Sequence, residues 1–221
     1  MNLAIWLERT ALKHPNREAL FLGSQCIGTY KDFWLAVCAL RVHLEKEGIK
    51  LGDRVAVYMP NCPEFLVAFY AVWSMGAVIV PINSKLHTRE VSWILENAEC
   101  SYVLGDAVLY SEISLPGVTV FTPKWELLST DAEVSPVQCY FNDLAWLFYT
   151  SGTTGKPKGV MITHGMIKTM ALSYFADVDQ VYPSDTTLYA APMSHGAGLY
   201  SIMHVLAGPR HAIPVSGGFD E

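Results

Sequence analysis

Apolar positions along this chain fall into two rhythms, one helical and one of short unbroken runs. Phe33, Val37, Leu40 and Leu44 recur at helical spacing, so a long helix is predicted there. Thr29 suits its N-cap and Gly48 its C′ position. An earlier helix is predicted over Leu3 to Lys13, started by Asn2 and stopped at His14-Pro15, because the residue before proline leaves helical space. Ala19 to Leu22 and Cys26 to Thr29, around Gly23-Ser24, read as a small hairpin. Next come strand Val55 to Met59, helix Pro63 to Met75, strand Val78 to Ile82, helix Thr88 to Ala98, and strands Tyr102 to Leu104 and Val118 to Phe121. Pro63 suits a first helical turn, where its missing N–H costs nothing. Uninterrupted apolar strands between helices predict an α/β fold, with parallel β-sheet layers flanked by helices. Phe65 to Ile82 runs eighteen residues without a charge, about the length of a membrane span. Gly76 and Pro81 interrupt it, so a buried helix, a turn and a buried strand are predicted instead. From Thr122 to Asn142 the pattern fades, and Ser129 to Pro136 reads as an exposed connection.

The pattern resumes with two short apolar runs, Ala145 to Tyr149 and Val160 to Ile162, which read as strands around a flexible loop. After it, Thr163 caps a helix from about His164 to Phe175. Strand Thr187 to Ala190, helix Gly196 to Leu206 and a short strand at Ala212-Ile213 complete the prediction. From Thr150 to Gly159 the loop holds four hydroxyls, three glycines and two lysines within ten residues. Glycines let backbone N–H groups approach a ligand, hydroxyls donate, and lysines neutralise charge, a combination that suits a polyphosphate. It is not a G-x-x-x-x-G-K-S/T loop. Five residues after Gly152 stands Pro157, and the chain continues into a strand instead of a helix.

Composition narrows the classes. A chain of 221 residues, 51% hydrophobic and 16% charged, is long enough for one large domain or two small ones with an ample core. A net charge of −6 without a basic stretch argues against nucleic acid as a partner. Cys26, Cys38, Cys62, Cys100 and Cys139 are odd in number and contain no C-x-x-C, so buried or neutral thiols in a reducing compartment are expected. The first residues lack a basic n-region and a cleavage site, so a cytoplasmic protein without stable membrane insertion is expected. His14, His43, His87, His204 and His211 have no partners at metal-ligand spacing. Trp6, Trp34, Trp73, Trp93 and Trp146 sit in apolar segments and are expected in the core.

Tyr149-Thr150-Ser151-Gly152-Thr153-Thr154-Gly155-Lys156-Pro157-Lys158-Gly159-Val160, followed by Thr163-His164, resembles the phosphate-binding signature of the adenylate-forming (AMP-binding) superfamily. That superfamily includes acyl- and aryl-CoA synthetases, luciferases and peptide-synthetase adenylation domains. The alternative is a surface hairpin rich in Gly, Ser and Thr with stray lysines. Pro192-Met193-Ser194-His195 resembles the superfamily's P-L/M-x-H segment, whose histidine borders the acyl pocket. The bland alternative is a core histidine beside a glycine-rich helix start. Gly196-x-Gly198 is not a dinucleotide fingerprint, since position 201 is Ser. His164 also matches a superfamily residue, but capping and packing account for it.

The resemblance implies a two-step ligase reaction. A carboxylic acid is activated with ATP and Mg²⁺ to an acyl-adenylate, which is then captured by coenzyme A as a thioester. On this reading Thr150, Ser151, Gly152, Thr153, Thr154 and Gly155 wrap the phosphates, Lys158 supplies catalytic charge, and Lys156 is accessory. Thr153 contributes to the Mg²⁺ site, and His195, Gly196, Ala197 and Gly198 border the acyl group. The adenine-binding segment, the ribose-binding Asp, the hinge and the C-terminal domain of the superfamily are not found between Gly165 and Glu221. Residues 1–221 are therefore expected to be an incomplete N-terminal domain, part of an acyl- or aryl-CoA ligase and inactive alone, with bare surface that favours self-association as a homodimer. Adenylation for another acceptor, or a non-catalytic nucleotide-binding module, are the alternatives. The resemblance does not fix which acid is used.

Overall fold

The computed structural model describes residues 1–221 except 114, 131, 133, 151–155 and 219–221. Two sheets share one mixed α/β body. The six-stranded sheet contains β3 (Arg54–Tyr58), β4 (Val78–Ile82), β5 (Tyr102–Gly105), β6 (Thr119–Phe121), β7 (Leu144–Thr150) and β8 (Lys158–Thr163), in the order β6-β5-β3-β4-β7-β8. Its neighbours run parallel except β7 and β8, which form an antiparallel hairpin. The four-stranded sheet contains β1 (Glu18–Leu22), β2 (Gln25–Thr29), β9 (Thr186–Leu188) and β10 (Arg210–Ile213), in the order β2-β1-β10-β9. The expected β1–β2 hairpin is present. In addition β1 pairs in parallel with β10, with Leu20 opposite His211, which no local pattern announced.

Helices α1 (Ala4–Lys13), α2 (Tyr30–Lys46) and α3 (Pro63–Ser74) pack with both sheets around the larger core. Every side chain of α3 except that of Glu64 is buried, which explains its lack of a polar face. α4 (Thr88–Asn97), with Val91, Ile94 and Leu95 inward, closes a second core over Ala56, Val80 and Val103. The uncharged stretch from Phe65 to Ile82 is helix, turn and strand, and among the described residues no helix is long and apolar enough to cross a membrane.

Local chemistry sets the ends. Thr29 and Asp32 form a reciprocal capping box at the start of α2. At its end the Ile49 N–H bonds the Leu44 carbonyl while Gly48 adopts φ +85°. α1 begins one residue later than expected, with Leu3 at the cap, although the Asn2 side chain still accepts the Ala4 N–H at 2.9 Å. α4 is capped by His87, whose Nδ1 accepts the Arg89 N–H. Two short pieces were not expected: α5 (Ala107–Ser111), capped by Asp106, and a single 3₁₀ turn at Trp125–Leu127. Neither is long enough to show a period. α6 (His164–Asp177) follows its Thr163 cap directly from β8, and α7 (Gly196–Ala207) ends at Gly208 with φ +82°.

One polar cluster lies inside the larger core. Tyr30 Oη donates to the Pro209 carbonyl at 2.7 Å and lies 3.1 Å from His211 Nε2, and Tyr189 Oη lies 2.7 Å from His211 Nδ1. With its proton already donated, Tyr30 accepts from Nε2–H, which leaves Nδ1 to accept the Tyr189 hydroxyl proton. This is a neutral imidazole with both nitrogens satisfied.

Candidate active site

The hairpin of β7 and β8 carries the glycine- and hydroxyl-rich loop. Thr150 faces Lys158 as the last pair of its ladder. Because β7 runs parallel to β4, Thr150 and Lys158 stand at the carboxyl end of the parallel strands, the side where ligands bind in open α/β sheets. Ser151, Gly152, Thr153, Thr154 and Gly155 lie outside the described residues. Lys156 and Lys158 are exposed beside them.

α4 braces this end of the hairpin. Trp93 Nε1 donates to the Pro157 carbonyl at 3.2 Å, and the Lys156 ammonium lies 4.1 Å from the centre of the Trp93 ring. Tyr149 Oη donates to Asn97 Oδ1 at 2.7 Å. A Cβ on Gly159 would stand 3.0 Å from Tyr149 Cζ, so this glycine lets the tyrosine ring lie across the hairpin. Trp93 is thus half-buried at the loop and not part of the core, contrary to the expectation from its apolar neighbours.

The second group of residues follows β9. Met193 and Ser194 are buried, whereas His195 is exposed. The His195 ring meets Phe148 of β7 edge-on, with centroids 5.5 Å apart and planes at 82°. Ser194 Oγ lies 3.0 Å from His195 Nδ1. The fold therefore brings the strand entering the phosphate-type loop against the histidine of the P-M-S-H segment, and Phe148 is the link that sequence reading missed. Gly196 and Ala197 stand at the start of α7. Gly198 points inward: a Cβ there would lie 1.9 Å from the Met193 carbonyl oxygen and 2.9 Å from Phe69 Cε2.

The donor set suits an anion. Thr150 contributes a hydroxyl and Lys156 and Lys158 contribute cations at the same hairpin end, which fits the charge of a nucleotide's phosphates. Among the described residues no three His, Cys, Asp or Glu side chains gather as a metal site. His164 is buried, with neither ring nitrogen hydrogen-bonded among the described residues. Burial first, and the N-terminal ammonium second, lower its pKa to about 4, so it packs as a neutral side chain. Burial likewise raises the Cys62 and Cys139 thiols and pushes Cys100 up to about 12, which removes them as thiolate nucleophiles. No disulfide joins the described cysteines. A cavity of about 680 Å³ lies elsewhere, lined by Ile27, Asp32, Trp125 and Glu126 among others, and its Asp32 carboxylate is already used in the α2 cap.

Comparison with known proteins places this geometry in context. The sequence profile described as "AMP-binding enzyme" matches residues 7–215. The chain is 31% identical over 199 residues to a feruloyl-CoA synthase of Amycolatopsis sp, covering 89% of this chain and 40% of that protein. It is 36% identical over 171 residues to the long-chain-fatty-acid–CoA ligase FadD13 of Mycobacterium tuberculosis, covering 71% of this chain and 33% of that one. Among solved structures, the N-terminal domain of FACL13 from Mycobacterium tuberculosis superposes with a TM-score of 0.87 at 31% identity, over 100% of this chain and 58% of that one. The chain thus spans well under half the length of these curated relatives.

Proposed function

Since this chain belongs to the AMP-binding enzyme family, we propose that it forms part of an acyl- or aryl-CoA ligase that activates a carboxylic acid with ATP. In the first step an acid oxygen attacks the α-phosphorus, the bond to the bridging oxygen breaks, and pyrophosphate leaves with an acyl-adenylate behind it. In the second, the thiol sulfur of coenzyme A attacks the acyl carbon, the thiol proton is lost, and AMP departs. The observation that supports this reading is the twelve-residue signature from Tyr149 to Val160, entered by a strand whose Phe148 meets His195.

The work of this chain is positioning and charge neutralisation, the main contributions to phosphoryl-group transfer. Lys158 supplies cationic charge to the departing phosphates, with Thr150 to Gly155 around them and Lys156 accessory. Mg²⁺ entering with ATP would neutralise phosphate charge, and Thr153 is the residue assigned toward it. His195, Gly196 and Ala197 border the acid, and the Phe148–His195 contact keeps the acid's place next to the phosphates. One relative is named a feruloyl-CoA synthase and another a long-chain-fatty-acid–CoA ligase, which supports an organic carboxylic acid as the substrate class. A cytoplasmic setting fits cysteines that form no disulfide. Because the chain spans about 40% of a relative's length, residues 1–221 alone are proposed to be an incomplete AMP-binding domain that does not turn over.

The test is ATP–pyrophosphate exchange, driven by a panel of carboxylic acids, with the enzyme that contains this chain. Exchange with some acid is expected, and Lys158→Ala should lower it about 10²–10³-fold, the usual effect of removing one transition-state charge donor. Lys156→Ala should cost much less. A folded enzyme that binds ATP but exchanges with no acid would be a nucleotide-binding module instead.

A further inference from the structure

Asn61 lies on the loop between β3 and α3, far in sequence from the site. Its side-chain amide is used completely by one other segment. Nδ2 donates to the Tyr189 carbonyl at 3.0 Å and to the Ala191 carbonyl at 2.8 Å, and Oδ1 accepts the Met193 N–H at 2.8 Å. Residues 189–193 belong to neither β9 nor α7, so their backbone groups need partners from outside regular structure. One asparagine supplies three.

The support under Asn61 is stiff. Pro60 precedes it, Cys62 caps α3, and Pro63 opens that buried helix. The loop after β10 also closes on it, since a Cβ on Gly217 would lie 3.2 Å from the Asn61 carbonyl oxygen. On the other side, the fixed Met193 leads directly to buried Ser194, whose hydroxyl meets His195 Nδ1 at 3.0 Å. His195 then reaches Phe148 and so the hairpin.

We propose that Asn61 is a positioning residue for His195, fixing the segment that borders the carboxylic acid relative to the phosphate hairpin. Its consequence for the reaction rests on the ligase reading above, but its structural part does not. Asn61→Ala removes all three bonds. Asn61→Asp keeps an acceptor for the Met193 N–H while removing both donors and setting a carboxylate against two carbonyl oxygens.

Two readouts on the 221-residue chain test the placement. In Asn61→Ala, hydrogen exchange at the Met193 amide should speed up about tenfold, the scale of one lost hydrogen bond. The Tyr189 amide, which bonds the Ala212 carbonyl, should keep its protection. In Asn61→Asp, Met193 should stay protected. In both variants the NMR signals of the His195 ring should move as its edge-on contact with Phe148 changes, while those of His43 and His87 stay in place. His195 signals unchanged in the variants, or protection lost equally at Met193 and Tyr189, would overturn the proposal. If Asn61→Ala does not fold, Asn61→Asp alone decides it through the His195 signals. In the enzyme, acid-driven exchange should show kcat/KM for the acid lowered about tenfold with KM for ATP unchanged. Equal changes toward both substrates would also overturn it. An unsubstituted enzyme that exchanges with no acid counts against the ligase reading, and the NMR result still decides the role of Asn61.

Discussion

His164 and His211 are enclosed in surroundings that oppose a proton. Burial lowers the pKa of His211 from 6.5 to about 3, with His204 adding a smaller push, and lowers that of His164 from 6.5 to about 4. In the unfolded chain both titrate near the ordinary value, so between those limits the unfolded state binds more protons than the folded one. Their share of stability is therefore complete above pH 6.5 and is lost as pH falls through the folded values. At about pH 5 each should cost about 2 kcal/mol relative to pH 7.5. Urea denaturation at the two pH values checks this, and His211→Asn should remove about half of the pH-dependent loss. Equal stability at both would contradict the enclosure of these rings. Sequence alone showed His211 without a partner at metal-ligand spacing and His164 as a capping and packing residue. What it could not show was that Tyr30 and Tyr189, remote from one another in the chain, close over His211.

The start of α7 separates two glycines that look alike in sequence. A Cβ at Gly196 would meet nothing nearer than Tyr200 Cδ2 at 4.0 Å, whereas at Gly198 it would strike the backbone of Met193. Gly196→Ala should leave the thermal midpoint nearly unchanged. Gly198→Ala should lower it by roughly 4–8 °C, the scale of an overpacked core site in a chain of this size. Equal effects would show that α7 begins elsewhere. Elements with a clear period or a local stop signal, such as α2, α3 and β4, were legible because their ends are set by neighbouring residues: Thr29 with Asp32, Pro63, Gly48. α5 and the turn at Trp125–Leu127 were too short to carry a period. The hairpin of the site was legible from two apolar runs and the glycines between them. The side chains that touch it, Trp93, Asn97 and His195, and Asn61 on the 189–193 segment, were not, because each acts across a tertiary contact that no local spacing encodes.

For the whole molecule, both sheets end in strands with an open side. β8 is an edge of the six-stranded sheet and β9 an edge of the four-stranded one. Val160 and Met161 on β8, Met166 and Leu172 on α6, Leu188 on β9 and Tyr200 on α7 are all exposed apolar residues on these and adjoining elements. Unpaired edges and apolar surface together favour self-association. Sedimentation of the chain at tens of micromolar should give dimers or larger species, the concentration range in which such surfaces associate. Met161→Lys with Leu188→Lys should return it to monomer, and a monomer without these changes would refute the expectation. The parallel pairing of β1 with β10 carries a different consequence, one of timing. Leu20 waits for His211, roughly 190 residues downstream, before its strand has that neighbour. At about 5–20 residues per second, a ribosome takes roughly 10–40 s to deliver it. The β1–β2 hairpin, marginal alone, meanwhile leaves the exit tunnel with one side open. Slow codons between β9 and β10 would lengthen that exposure and make the yield of folded protein depend on a part of the message that encodes no residue of the site.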